Sequence, residues 1–359
     1  MIDFLIVGGG LAGISFAEAA YVNHKSFKVI TDASHNSSLV AAGLYNPVIL
    51  KRFSLPADAA LHLDFITTFY KRIEERLEIK VNFKLPVYRR FASVEEQNDW
   101  FATADKPALE RFLSTNIVHH NYAGLTSPYG FGVVKETGYI DTAGLIKGYH
   151  RFLWDIDALL VDTFQHSAVI IADDHVSYKD IKAKHIVFAE GFGIHSNPYF
   201  NYLPLEGTKG EILVIKAPEL RLDVAVNAGV FILPIGDDLF KVGATYEWYD
   251  KTAAPTAAGK QELLEKLDEI ISCKYEVVDH MAGIRPTTKD RKVLMGTHPK
   301  YDRLHLLNGL GTRGVMLGPP MAHELLRSIN DSKPVQKDLN LSRFYKLYRD
   351  PDISISGII

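Results

Sequence analysis

Glycines stand at Gly8, Gly10 and Gly13 behind the apolar run Phe4-Leu5-Ile6-Val7, and Asp32 follows nineteen positions after the last of them. Each glycine has work to do if the turn holds a dinucleotide. Gly8 permits a tight turn, Gly10 lets the main chain approach a diphosphate with no Cβ in the way, and Gly13 lets the next helix pack closely on the strand. Leu11 and Ala12 open that helix, and their N–H groups offer the anion the positive end of the helix dipole. Asp32 ends a second apolar strand, Phe27-Lys28-Val29-Ile30-Thr31. A carboxylate there accepts from both ribose hydroxyls of an adenosine and repels a 2′-phosphate. Flavin and nicotinamide dinucleotides share this fingerprint, so the turn alone leaves the choice open.

The elements that must position these residues can be read along the chain. Residues 3–7 predict a buried parallel strand, followed by a turn and a helix. Ser34 to Pro47, with Ala41-Ala42-Gly43 inside it, is small and polar, without helical or strand periodicity, and suits close approach to a large ligand. Pro56 to Leu77 predicts a helix with Leu61, Phe65, Phe69, Ile73 and Leu77 on its buried face and Lys71, Arg72, Glu74, Glu75 and Arg76 in solvent. Val81 to Ser93 alternates like a strand, Val94 to Ala104 is a short helix, and Gly138 to Phe152 is a helix capped by Asp141 or Thr142. Short apolar strands follow at Leu159–Val161, Ala168–Ile171 and His185–Ala189, the last ending in the glycine turn Glu190-Gly191-Phe192-Gly193, where α/β folds place ligands.

Beyond Gly207 the pattern changes. Glu211–Ile215, Val230–Pro234 and Phe240–Thr245 alternate and are joined by hairpin-type turns such as Gly236-Asp237-Asp238, which predicts an antiparallel sheet. Thr256 to Ser272 is a helix, and parallel character returns at Leu304–Asn308 before a last helix, Val315 to Ile329. The expected fold is therefore α/β plus α+β, a Rossmann-like domain of residues 1–80, 138–203 and 285–359 into which a mainly antiparallel-sheet domain of residues 81–137 and 204–284 is inserted.

A chain of 359 residues exceeds what one core usually serves, in agreement with two domains. Its 47% hydrophobic and 23% charged content is that of a soluble enzyme, and a net charge of −3 argues against nucleic acid or anionic membrane as the main partner. The single cysteine, Cys273, excludes an internal disulfide or a multi-cysteine metal site, and no histidine spacing suggests a metal. The start lacks a basic leader, and no apolar run reaches the roughly 18 residues of a membrane span, so a reducing cytoplasm is the expectation.

In order along the chain, the fingerprint, Ala41-Ala42-Gly43, Val187-Phe188-Ala189-Glu190-Gly191, Glu206-Gly207-Thr208-Lys209-Gly210-Glu211, Gly243-Ala244-Thr245, Gly283-Ile284-Arg285-Pro286-Thr287 and Asn308-Gly309-Leu310-Gly311-Thr312-Arg313-Gly314-Val315 form a set. The set resembles the D-amino-acid oxidase superfamily of FAD-dependent amine oxidoreductases, which includes glycine and sarcosine oxidases, over nearly the whole chain. The last motif, with Ala322-His323-Glu324-Leu325-Leu326, is also similar to the oxidase half of a bifunctional bacterial tRNA enzyme acting on a wobble-uridine carboxymethylaminomethyl group.

The resemblance implies FAD rather than NAD, oxidation of a C–N bond in a glycine-, sarcosine- or D-amino-acid-like substrate by hydride transfer, and oxygen or another acceptor. An NAD-dependent dehydrogenase is the alternative that the fingerprint permits. The resemblance also implies FAD contacts at Ala42, Gly43, Gly191 and Val169, the last through its backbone. It further implies a flavin-binding loop at Gly311, Thr312, Arg313, Gly314 and Val315, where the helix N-terminus and the guanidinium supply positive potential. Arg285 matches the arginine that holds the substrate carboxylate; its planar fork suits two parallel hydrogen bonds, and a structural ion pair is the alternative. Phe231 stands where glycine oxidase has a tyrosine, which favours a larger or differently anchored amine. Lys241 matches a lysine that activates oxygen, and Tyr45, Tyr246, Lys51 and Trp248 are expected near substrate. Lys289 to Tyr301 contains no cysteine, so the FAD is expected to be noncovalent.

Overall fold

Phe4 to Val7 form part of the central strand that their apolarity predicts, each nearly inaccessible to solvent. The structure, a computed structural model, describes residues 1–32, 34, 37–56 and 58–350. His35 and Asn36 of the expected loop, Ala57 before the third helix and 351–359 of the expected first domain lie outside the described residues. The strands in chain order are β1 (Ile2–Val7), β2 (Phe27–Thr31), β3 (Leu44–Tyr45), β4 (Asn82–Lys84), β5 (Val87–Arg90), β6 (Leu113–Val118), β7 (Phe131–Val134), β8 (Gly138–Ile140), β9 (Leu159–Val161) and β10 (Val169–Ile171). After them come β11 (Val176–Tyr178), β12 (Ile181–Phe188), β13 (Thr208–Lys216), β14 (Ala225–Ala228), β15 (Val230–Gly236), β16 (Leu239–Gly243), β17 (Glu276–Arg285), β18 (Leu294–Thr297) and β19 (Leu304–Asn308). The helices are α1 (Leu11–Val22), α2 (Ser37–Val40), α3 (Ala59–Leu77), α4 (Val94–Ala104), α5 (Thr142–Asp155), α6 (Ala257–Asp268) and α7 (Gly314–Asp331).

The chain divides into two compact units, the first of 1–38, 146–207 and 285–359, the second of 39–145 and 208–284. The expected boundaries differ from this at 39–80 and 138–145, which fall in the second unit, and at 204–207, which falls in the first. The reason for the first two is local pairing: β3 and β4 both pair with β8, forming a three-stranded sheet that keeps 44–45, 82–84 and 138–140 together.

The first unit is built on a sheet in the order β10-β11-β12-β1-β2-β9, with β19 also beside β12 and β18 beside β19. The pairs β1–β2, β1–β12, β2–β9 and β12–β19 are parallel, and β10–β11–β12 form an antiparallel run at one edge. On one face Leu5, Val7, Ile186, Phe188, Leu304 and Leu306 build a core. From the other face Phe4 meets Phe16 of α1 edge-on, with ring centroids 5.2 Å apart. Such alternation, apolar on both faces, is what a parallel strand covered on both sides requires.

The second unit holds a sheet in the order β17-β13-β16-β15-β14-β5-β7-β6. Its hairpin β15–β16 and the pair β13–β16 are antiparallel as expected, whereas β14–β5 is parallel. Leu213, Ile215, Ile232, Phe240 and Val242 pack with Leu263 and Leu267 of α6 into one core. Side chains alternate along a strand, so Phe231, Leu233, Lys241 and Gly243 share the opposite face, with Phe231 directly across from Gly243 and Leu233 across from Lys241.

Several expectations are corrected locally. Gly138–Ile140 is a strand, and the helix begins only at Thr142, with Asp141 as its cap, accepting from the Gly144 N–H at 3.1 Å. The segment 81–93 holds two strands rather than one. Within 34–47 there is a helical turn, α2, and the strand β3. Helix α3 buries Ala59, Leu63, Ile66, Phe69, Tyr70 and Ile73, while Leu61 is 69% exposed. A stripe of residues four apart drifts by about 40° per step on a helix of 3.6 residues per turn, so the Leu61–Leu77 row cannot stay on one face.

Candidate active site

The fingerprint turn has the geometry its glycines predict. Gly8 has φ +107°, and a Cβ there would lie 2.4 Å from the Ala189 carbonyl oxygen; a Cβ on Gly13 would lie 1.8 Å from the carbonyl oxygen of Gly8. The turn is therefore closed on itself and pressed against the end of β12. Gly10 caps α1 without any side-chain hydrogen bond, and no acidic residue occupies the first turn, which leaves the helix terminus suited to an anion. Leu11 begins α1, and its N–H donates to Ser38 Oγ at 3.2 Å. Ser38 is a neighbour that sequence reasoning placed only in a loop.

Asp32 lies just past β2, exposed, and its carboxylate accepts from the Ser34 N–H at 2.9 Å. Partial burial opposes ionisation, but hydrogen bonds from Ser34 and Thr163 outweigh it and hold the carboxyl below the usual carboxylate range. Thr163 belongs to the connection from β9 to β10. The same connection carries His166, whose Nε2 is 2.8 Å from Glu190 Oε1, while Asn197 Nδ2 donates to Glu190 Oε2 at 2.7 Å. This connection thus crosses the carboxyl ends of β2 and β12, and it delivers Val169 to the edge strand β10, opposite Tyr178. Val169 is half-buried at that edge and packs against the first unit's core.

Gly191 (φ +57°) and Gly311 (φ +56°) each have open space where a Cβ would stand. Asn308 Nδ2 donates to the Gly191 carbonyl at 2.8 Å, joining the ends of β12 and β19. Gly314 is the first residue of α7, and a Cβ on it would come within 3.2 Å of Leu11 Cδ1. The N-termini of α1 and α7 therefore start side by side. Arg313 is half-buried next to α7, its Nη2 3.6 Å from Met316 Sδ, and burial lowers its pKa from a value high enough to leave it charged. Thr312 is exposed, and Val315, the second residue of α7, is buried. Two helix N-termini, a closed glycine turn, an ionised carboxylate just past β2 and two glycines facing open space are a donor set and a shape that fit an adenine dinucleotide with a flavin end.

Arg285 is the last residue of β17 and is half-buried. Its carbonyl accepts the Thr287 N–H at 2.8 Å, and the carbonyl of Pro286 accepts the Gly311 N–H at 3.1 Å. The structure thus brings the arginine's segment and the loop that opens α7 together in the first unit.

The remaining expected residues belong to the second unit. Gly43 (φ +72°) is held by the backbone of β8: its carbonyl accepts the Ile140 N–H at 3.0 Å, and a Cβ would lie 1.9 Å from the Ile140 carbonyl oxygen. Ala42 adjoins it, half-buried. Tyr45 requires a correction. It is 1% exposed, burial raises its phenol pKa, and its hydroxyl donates to Asn82 Oδ1 at 2.9 Å, so it is a core residue between β3 and its neighbours. Phe231 is half-buried, and Lys241 lies on the same sheet face. Burial pushes the Lys241 ammonium pKa down, and the charge of Asp141 opposes that. Tyr246 is 61% exposed. The segment beyond it is tied down by Lys209, a fully buried cation whose Nζ bonds Asp250 and the Ala254 carbonyl.

A parallel sheet with a glycine turn opening α1, beside a unit built on a largely antiparallel sheet in the same chain, is an architecture that flavin-dependent oxidoreductases use. Residues 3–327 match the family FAD dependent oxidoreductase (DAO), and the chain belongs to it. Its cofactor is FAD. The glycine oxidase of Bacillus subtilis (strain 168) is 28% identical over 224 residues, 58% of this chain and 59% of that protein. The tRNA 5-methylaminomethyl-2-thiouridine biosynthesis bifunctional protein MnmC of Marinobacter nauticus is 27% identical over 188 residues, 49% of this chain and 30% of that protein. These matches span less than two thirds of either relative's length. The crystal structure of glycine oxidase from Geobacillus kaustophilus superposes with a TM-score of 0.77 at 18% identity, covering 96% of this chain and 97% of that one, and shares the fold. Among the described residues no helix is long and apolar enough to cross a membrane.

Proposed function

We propose that this protein oxidises the C–N bond of an amino acid or secondary amine that carries a carboxylate, a glycine-, sarcosine- or D-amino-acid-like substrate. The observation that carries this reading is Arg285, half-buried at the end of β17 and tied through Pro286 to Gly311. When bound, FAD supplies the hydride acceptor. The first unit holds it, with Gly8, Gly10, Leu11, Ala12 and Gly13 at the diphosphate, Asp32 at the ribose, and Gly311 to Val315 at the flavin end, bound without a covalent bond.

The chain's own contribution is orientation. A guanidinium fork fixes a carboxylate by two points, which sets the direction of the α-carbon as well as its distance. No general base is needed, because the substrate amine can bind neutral. Phe231 and Tyr246 border the amine's substituent, and Lys241 places a half-buried cation where negative charge develops on oxygen. Mixing the anaerobic enzyme with glycine, sarcosine, N-substituted glycines and D-amino acids tests the reading: at least one must bleach the visible flavin band, and bleaching by none removes it.

A second reading, an amine borne on a tRNA uridine, is favoured by one observation. Tyr246, Trp248 and Tyr249 are all exposed, Tyr249 to 92%, on the segment that Lys209 anchors. Exposed rings on a restrained segment suit stacking on an unpaired base. Anaerobic reduction by a carboxymethylaminomethyl-uridine oligonucleotide, with none by free amino acids, would select it over the first.

A further inference from the structure

The dinucleotide fingerprint explains glycine at Gly8, Gly10 and Gly13 but leaves Gly9 without a role. The structure supplies one. A Cβ on Gly9 would lie 2.7 Å from His150 Nε2 and 2.9 Å from Thr31 Cγ2. His150 sits in α5, far away in sequence, and its Nε2 is 2.7 Å from the Gly9 carbonyl oxygen. A carbonyl only accepts, so Nε2 carries the hydrogen and donates it. The ring is half-buried. One residue earlier, the Tyr149 hydroxyl donates to Glu18 Oε2 of α1 at 3.0 Å, so α5 is fastened to the helix that the turn feeds.

In a trans peptide the C=O and the following N–H point in opposite directions. Fixing the Gly9 carbonyl toward α5 therefore turns the Gly10 N–H away from α5. A run of three glycines is where a chain most readily adopts other backbone angles. Rotation of the Gly9–Gly10 peptide would exchange a donor for a carbonyl dipole at the place where the anion binds. We propose that His150 is a positioning residue for the FAD diphosphate, which holds the Gly9–Gly10 peptide in its anion-binding orientation. The proposal concerns the cofactor and is independent of which amine is oxidised.

The test is binding to the apoprotein, followed by quenching of FAD fluorescence, with ADP and adenosine as competitors. His150→Leu keeps bulk and removes the donor; His150→Gln keeps an N–H at similar reach. The leucine variant should bind FAD and ADP at least tenfold more weakly, a change of about 1.4 kcal/mol. Adenosine binding should be unchanged, because adenosine has no diphosphate. The glutamine variant should stay within threefold of the parent for all three. Parental FAD and ADP affinity in the leucine variant, an equal loss for adenosine, or a glutamine variant as weak as leucine would overturn the proposal. If the leucine variant does not fold, His150→Asn, one methylene too short to reach Gly9, is read in the same way.

Discussion

The carbonyl of Pro286 accepts the N–H of Gly311 at 3.1 Å, which fastens the residue after Arg285 to the first residue of the turn that opens α7. Arg285 is the last residue of β17 and the first residue of its segment of the first unit, and the backbone that follows it is pinned to the loop that opens α7. A proline at that point adds a fixed φ. The backbone of the segment that begins at Arg285 and that of the loop opening α7 are thereby held by one hydrogen bond.

The FAD should be noncovalent. Acid precipitation of the purified yellow protein should release the colour into the supernatant; a pellet that stays yellow contradicts this.

Asp32→Ala should weaken FAD binding by about 1.5–3 kcal/mol for each charged hydrogen bond lost to the ribose. Its carboxylate is held ionised by Ser34 and Thr163, so the loss should be the same at pH 6 and pH 8. Equilibrium titration of the apoprotein measures it, and parental affinity would remove Asp32 from the site.

Residues of the site differ in how plainly they can be read from the chain. Gly8, Gly10, Gly13 and Asp32 are legible because the roles expected of them follow from local spacing within one strand–turn–helix–strand unit. The β15–β16 hairpin is legible for the same reason. Ser38, Thr163, His150 and the His166–Glu190 pair are not, because each meets its partner only after distant segments fold together. Tyr45 is expected near substrate only from the family resemblance; β3 pairs with β8, and the ring is buried. Gly138–Ile140 is too short to show a strand period beside the strong helical pattern that begins four residues later.

Lys241→Met should slow oxygen consumption by at least tenfold, about 1.4 kcal/mol in the barrier, while leaving anaerobic reduction by the amine within about threefold, since a cation proposed to act on oxygen stabilises only the step in which charge develops there. Stopped-flow measurement of the two half-reactions separates them. Equal slowing of both would make Lys241 a packing residue.

Stability should fall as the solution is acidified. His298 is buried, and its Nδ1 accepts the N–H groups of Lys300 and Tyr301, both at 3.1 Å, so burial pushes its pKa down to about 4. The unfolded imidazole takes up its proton near pH 6.5, so between about 6.5 and 4 the unfolded state binds more protons and stability is lost at up to about 1.4 kcal/mol per pH unit. The buried His305, whose Nε2 is 3.0 Å from His185 Nδ1, adds to the same trend. In denaturant melts from pH 8 to pH 5, His298→Asn keeps an acceptor and should flatten the dependence; an unchanged slope would exclude His298 as a source.

The most direct test of the account is Arg285→Lys with the best amino-acid substrate. Lysine keeps the charge but loses the planar fork. The account predicts that kcat/KM falls by one to three orders of magnitude, about 1.4–4 kcal/mol, with the visible FAD spectrum intact. A lysine variant that turns over this substrate as well as the parent would make Arg285 structural and contradict the carboxylate-bearing substrate.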